Sequence, residues 1–236
     1  MPRSTAPTLS RSSRPARAML VGACAVLLPT LLNIGCTAVR YSESFSPEGV
    51  PTRVIVHSDA GLVEVVAGDE LRVERDIRAP EAALRLSHTM VDGVLMLEAH
   101  CTTVLPCAVD TRVTLPAAVP VEIDLGVGEV WATGITDLSL ELDEGDADVE
   151  LTGHLQASVG SGDVHARMAS GQQGRIGVGR GEIAVEVPDA DWEIDGRARD
   201  LVLRDIDNVD GAAGQLELVA PAGTITVERT GGFATR

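Results

Sequence analysis

Lysine is absent from this chain: its 19 strongly basic residues are all arginine. Aromatic residues are nearly absent as well, five in 236 (Tyr41, Phe45, Trp131, Trp192 and Phe233). The core must therefore come from Val, Leu, Ile and Ala, and sugar binding by aromatic stacking has only Trp131 and Trp192 to draw on. The first 35 residues hold no acid, whereas the remainder sets 35 acidic residues against 15 arginines, a net charge of −20. Such a body repels phosphate backbones through its own field, which excludes nucleic acid as a partner. No long helical period of apolar residues occurs after residue 36, which excludes a helical domain.

What is present is a repeat. Gly-acid pairs fall at Gly128-Glu129, Gly145-Asp146, Gly162-Asp163 and Gly181-Glu182, at intervals of 17, 17 and 19 residues. Each pair is flanked by segments that alternate apolar and polar residues with period two, as in Val121-Glu122-Ile123-Asp124-Leu125 before the first pair. Every unit thus reads as strand, tight corner, strand, with glycine where the chain turns sharply. One such unit cannot bury its apolar face alone, and stacking on its neighbours supplies the missing hydrogen bonds and contacts. The expected fold is all-β, a single-chain β-solenoid of stacked short strands with Gly-acid corners. Val130, Val149, Val164 and Ile183 are expected to share one interior file. The alternative is an antiparallel β-sandwich in which each corner is a hairpin turn.

Outside the repeat, Gly61–Val66 and Leu71–Arg75 flank Ala67-Gly68-Asp69-Glu70 as an expected hairpin, and Leu84–Leu86 and Val94–Leu97 form a second pair turning at Asp92-Gly93. Beyond residue 187 the pattern weakens but persists. Leu201-Val202-Leu203 follows an Arg199-Asp200 corner, and Thr224–Val227 follows Pro221-Ala222-Gly223.

Met1–Arg17 is basic and free of acids, and Ala18–Ile34 is mostly apolar, the two parts of a secretory signal expected over 1–35. Leu32-Asn33-Ile34-Gly35-Cys36 resembles the lipobox of bacterial lipoproteins, with Asn33 standing where that motif usually carries an aliphatic residue. The resemblance implies diacylation, as with palmitate, at Cys36, an anchor of two or three acyl chains, and residues 36–50 as a lipidated N-terminus and tether. Rival readings are Cys24 as the acceptor, ordinary cleavage after Ala38 or an uncleaved anchor. Thr37 after Cys36 leans toward the outer membrane, facing the periplasm or the surface. In an exported chain the remaining Cys101 and Cys107 are expected to form a disulfide. A metal site with the adjacent His100 competes, but supplies too few ligands for a closed zinc centre.

Val113-Thr114-Leu115-Pro116, Val121-Glu122-Ile123 and the later Gly-acid-aliphatic corners resemble the bacterial putative-adhesin family, also called the toastrack or auto-transporter adhesin head domain. The resemblance covers about residues 50–230; the domain is set at 51–232, with 233–236 as a tail. It implies a non-catalytic β-solenoid at the cell envelope, an adhesin-like binding or scaffolding module whose partner is an envelope protein or a surface glycan. It carries over no catalytic residues and no cofactor. Two alternatives stand beside it: an envelope-stress sensing partner of a membrane protein, and an enzyme acting on acidic polysaccharide through Arg167, Arg175 or Arg180 near Asp163 and Glu182.

Stacking would also bring Glu129, Asp146, Asp163 and Glu182 into an acidic ladder. Carboxylates about 4.8 Å apart repel by about 1 kcal/mol in water and roughly 3–4 kcal/mol at an effective dielectric of 20. Calcium would relieve that repulsion, but solvated corners that splay apart are the expectation, with no metal or cofactor site. The five histidines (His57, His88, His100, His154 and His165) are scattered, and Ser161 lies outside any nucleophile elbow.

Overall fold

The computed structural model describes residues 39–80, 83–102 and 107–230. The expected signal segment, Cys36 and the tail 233–236 lie outside them. Within them are fourteen strands and no α-helix: β1 (Val39–Phe45), β2 (Arg53–Ala67), β3 (Arg72–Ala79), β4 (Leu84–Val91), β5 (Val94–Cys101), β6 (Ala108–Leu115), β7 (Val121–Ile135), β8 (Leu138–Leu151), β9 (Leu155–Ser161), β10 (Val164–Met168), β11 (Gln173–Arg180), β12 (Ile183–Val187), β13 (Trp192–Arg204) and β14 (Gly214–Arg229).

Strand length explains the architecture. The long strands β2, β8 and β14 each take two shorter strands on one side, one along the first half and one along the second, whereas β7 and β13 pair along their whole length with other long strands. The first half of β8 pairs in parallel with β9 and the second half with β10. β14 likewise takes β11 on its first half and β12 on its second. β8, β10, β12, β14, β11 and β9 therefore close a ring of six parallel strands, with the remaining strands added on either side. The layers succeed one another as β5/β6, β2, β7, β8, β9/β10, β11/β12, β14 and β13. At both ends the chain departs from sequential order. It passes through β2 before laying down the layer outside it, and it reaches terminal β13 before returning to insert β14.

Between the two halves sits a file of stacked glycines. Gly61, Gly128, Gly145, Gly162 and Gly181 all have positive φ, from 133° to 152°. A Cβ on Gly128 would meet the Gly61 carbonyl oxygen at 1.7 Å, one on Gly145 the Gly128 oxygen at 1.7 Å, and one on Gly162 the Gly145 oxygen at 1.7 Å. Gly181 and Gly223 continue the file at 2.0 and 1.6 Å. No side chain fits where backbone stacks on backbone, so glycine recurs at the corners of β2, β7, β8, β9/β10, β11/β12 and β14. The sequence intervals disclose four of these glycines. Gly61 and Gly223 escape because the excursions at the two ends stretch their spacing to 67 and 42 residues.

Inside, aliphatic residues align in register. Val63, Val130, Ala147, Val164 and Ile183 form one file, and Val65, Ala132, Val149, Ala166 and Val185 the next. All ten are buried. Val149 thus belongs one file over from the expected grouping: counting from the corner glycine puts it four residues on, not two.

Antiparallel pairing, the expected alternative for the whole domain, is confined among the described strands to the N-terminal end: β1 with β3, β3 with β6, and β4 with β5. The β4–β5 hairpin turns at Asp92-Gly93, both at positive φ (51° and 79°), as its sequence suggests. The other expected hairpin does not form. β2 pairs with β5, β6 and β7, and β6 separates it from β3; Ala67–Glu70 is a connection, not a hairpin turn. The expected tether is also corrected, since Val39–Phe45 is strand β1, antiparallel to β3.

One inward position at this end is charged. Arg75, between Val73 and Ile77 on β3, is only 2% exposed. It donates to Glu43 (3.2 Å) and to the Ser87 carbonyl oxygen on β4 (3.1 Å), and its guanidinium lies 5.7 Å from the centre of the Phe45 ring. Burial pulls its pKa below the ordinary arginine value, while the hydrogen bond and charge of Glu43 oppose that shift.

Candidate functional site

The corner and the two outward faces are the surfaces this architecture offers. At the corner, the acidic ladder exists but serves the backbone. Asp146 Oδ1 accepts the N–H of Asp163 (2.9 Å), and Asp163 Oδ1 accepts the N–H of Glu182 (2.8 Å). The glycine before each acid makes room: a Cβ on Gly162 would lie 3.2 Å from Asp146 Oδ1, and one on Gly181 2.9 Å from Asp163 Oδ1. The Gly-acid pair is therefore one device, in which a missing side chain on one layer admits the carboxylate of the layer beneath. At β5/β6 the corner is built otherwise. Cys101 and Cys107 are joined by a disulfide, with Cα atoms 6.0 Å apart. Asp59 accepts the Cys101 N–H at 2.7 Å and faces His100 Nδ1 at 3.3 Å, so His100 serves this corner.

Of the groups expected to serve polysaccharide chemistry, only Arg167 lies on the outward face of the second halves. Arg167 lies between carboxylates, 3.4 Å from Glu186, 3.8 Å from Asp148 and 3.9 Å from Glu150. His165 bridges Asp148 (3.3 Å) and Glu186 (2.8 Å). Arg167 is thus ion-paired to its acids, and Asp163 engages the backbone through Oδ1. Arg175 points to the opposite outward face, where it binds Glu217 at 2.7–2.8 Å, and Arg180 sits at the corner beside Ser161. His57 pairs with Asp124 (3.2 Å), and His88 stacks on Phe45 with centroids 4.3 Å apart. The two tryptophans diverge: Trp192 is fully buried, and Trp131 is 47% exposed. No group of three or more His, Cys, Asp or Glu suited to a metal ion occurs among the described residues.

The outward face of the first halves holds a trough of about 650 Å³ that crosses the layers. Two files line it. Pro120, Asp137, His154, Gln173 and Gln215 stand eight residues before their corner glycines, and Ser139, Gln156, Arg175 and Glu217 stand six before. From Arg53 on β2 to Glu193 on β13 the trough crosses six strand spacings, roughly 29 Å. Its walls are polar: Gln173 donates to Gln215 and Gln215 to Glu193, each at 3.4 Å. Its floor includes Val121, Leu138, Leu155 and Leu216, the first core residues of their layers. Sequence reading missed these residues, although counting back six and eight positions from the Gly-acid pairs picks out those on and just before β8, β9 and β11.

No family model matches the chain, and no curated protein matches it. A solved structure does. The chain superposes on a putative cell adhesion protein from Clostridium sporogenes with a TM-score of 0.51 and 16% identity, over 82% of this chain and all of the other. The chain has the fold of that adhesion protein. Two further structures align more loosely. A putative adhesin from Bacteroides fragilis gives a TM-score of 0.40 at 8% identity, over 82% of this chain and 98% of that one. A putative lipid-binding protein from Parabacteroides distasonis gives 0.31 at 8% identity, over 81% and 96%. The Gly-acid corners resemble the putative-adhesin family, and the Clostridium sporogenes structure carries a name from that group.

Proposed function

We propose that this chain is a non-catalytic binding module of the cell envelope, anchored by lipid at Cys36, whose layers form a short β-solenoid. The six-strand ring is compatible with a coil, because β8 and β14 each run through both faces and complete the ring by bending at Gly145 and Gly223. The observation that carries the binding role is the trough. It is open and about 29 Å long, its amide, hydroxyl and charged groups converge over an apolar floor, and it suits an extended polar ligand better than a small one. Its acids and bases are spread along its length instead of being paired as a proton donor and acceptor, which favours binding over catalysis. The ligand is an extended surface glycan or a strand-like segment of an envelope protein.

The test is capture. The exported protein is immobilised, and its retention of envelope glycans and proteins is compared with that of a Gln156→Ala/Gln173→Ala variant. Retention that falls at least about tenfold in the variant supports the trough as the binding surface; unchanged retention refutes it. The anchor is tested separately. Cys36→Ser is expected to move the protein from the membrane to the soluble fraction and to abolish incorporation of labelled palmitate, whereas a variant that stays lipidated contradicts the assignment.

A further inference from the structure

The last layer is left half covered. β13 pairs with β14 on one side only. On its other side the returning chain closes the first half. Asn208 accepts the Ile194 N–H through Oδ1 and donates to the Ile194 carbonyl oxygen, both at 2.9 Å, and Val209 donates to the Trp192 carbonyl oxygen at 2.8 Å. No described strand covers the stretch from Gly196 to Arg204, where Leu201 is 43% and Val202 37% exposed.

The backbone direction along this edge is fixed by the stack. In every layer the inward residues aim their N–H groups at the next layer out: Val121 to the Asp137 oxygen, Ala147 to the Asp163 oxygen and Val164 to the Glu182 oxygen, at 2.9–3.0 Å. On β13, Ile194 obeys the same rule and finds Asn208. The remaining inward residues are Gly196, Ala198, Leu201 and Leu203, the register shifting between Ala198 and Asp200 at the corner. Their N–H and C=O groups form the open edge.

We propose that this edge is the seat of a second copy of the same chain, joined antiparallel about a two-fold axis between Arg199 and Asp200. In that register Gly196 faces Leu203 of the second copy and Ala198 faces Leu201, so all four edge-pointing residues bond one another. Inward residues meet inward residues, outward meet outward, and the corner falls on the corner, as two bent strands require. The charges agree as well: Asp195 lies opposite Arg204 and Arg199 opposite Asp200, each twice by symmetry. Moving the axis by half a residue to either side sets edge-pointing positions against inward-bonded ones. The closing segment around Asn208 lies outside the paired stretch. The exposed Leu201 is covered over the partner's Ala198.

Site-directed crosslinking in the full exported protein, in its own envelope, tests this. Asp195→Cys/Arg204→Cys is expected to oxidise to a covalent dimer on a non-reducing gel, while Asp195→Cys/Val202→Cys, two residues out of register, gives at least roughly tenfold less. Sedimentation of the purified protein is the second measurement. Asp200→Arg, which opposes Arg199 with a like charge, is expected to raise the dimer Kd roughly tenfold or more, and Arg199→Asp/Asp200→Arg to restore it. A monomer at all concentrations, equal crosslinking in both cysteine pairs, or a dimer indifferent to Asp200→Arg overturns the proposal. A monomer in which the Asp195→Cys variant crosslinks to a foreign protein overturns it in favour of a heterologous strand.

Discussion

The two ends of the stack solve one problem differently. Both must hide core residues that have no further layer to cover them. The N-terminal end uses extra covalent and antiparallel structure. A disulfide closes the corner of β5/β6, the β4–β5 hairpin lies over one half, β3 and β1 extend the other, and Arg75 bridges β3, β1 and β4. The C-terminal end uses a single large side chain and an amide. Trp192 fills the terminal layer against Gly214, where a Cβ would come within 2.6 Å of its ring, and Asn208 mimics a strand for one residue. The first end is sealed across both halves and the second across one.

The largest expected effect lies at the C-terminal end. Trp192→Ala should cost about 3–5 kcal/mol of unfolding free energy in urea titration, because the fully buried indole leaves a cavity that Gly214 cannot fill. A loss under about 1 kcal/mol would mean that this end is not closed by Trp192. Next comes the middle, which both ends depend on. Gly145→Ala sets a Cβ 1.7 Å from the Gly128 oxygen at φ 137° and should cost about 3 kcal/mol or more, whereas Gly177→Ala, with nothing within 4 Å, should stay within about 0.5 kcal/mol. Equal melting temperatures for the two variants would remove the glycine file from the account. At the N-terminal end, Cys101→Ser/Cys107→Ser opens a short loop and should cost about 2 kcal/mol by chemical denaturation. An unchanged midpoint would show that the antiparallel strands suffice. The smallest effect belongs to the open edge: Val202→Thr, already 37% exposed, should shift monomer stability by no more than about 0.5 kcal/mol.

Much of the middle was legible because its layers are consecutive in the chain. Wherever β7, β8, β9/β10 and β11/β12 follow one another, a 17- or 19-residue interval reports a spatial step, and the alternation around Gly128, Gly145, Gly162 and Gly181 gives strand, corner and inward face. Legibility fails at the ends for a topological reason. Gly61 and Gly223 belong to the same file, but each lies on a strand whose spatial neighbour is not its neighbour in sequence. Ala67–Glu70 looked like a hairpin turn because local turn chemistry cannot tell that β6, arriving about forty residues later, will take the place beside β2. Arg75 was hidden too, since a lone arginine in an alternating strand looks like a solvated residue until the pairing turns it inward. The trough residues carry no motif of their own; only their fixed distance from the corner glycines relates Gln156 to Arg175 or Ser139.

The most direct test of stacked, in-register layers is a distance between residues remote in sequence. Spin labels at Glu122 and Asp195, both outward and five layers apart through Ser139, Gln156, Arg175 and Glu217, should give one narrow peak near about 24 Å in pulsed electron–electron double resonance. A peak beyond about 35 Å, or a broad distribution without one, would contradict the stack on which the corner, the trough and the open edge all rest.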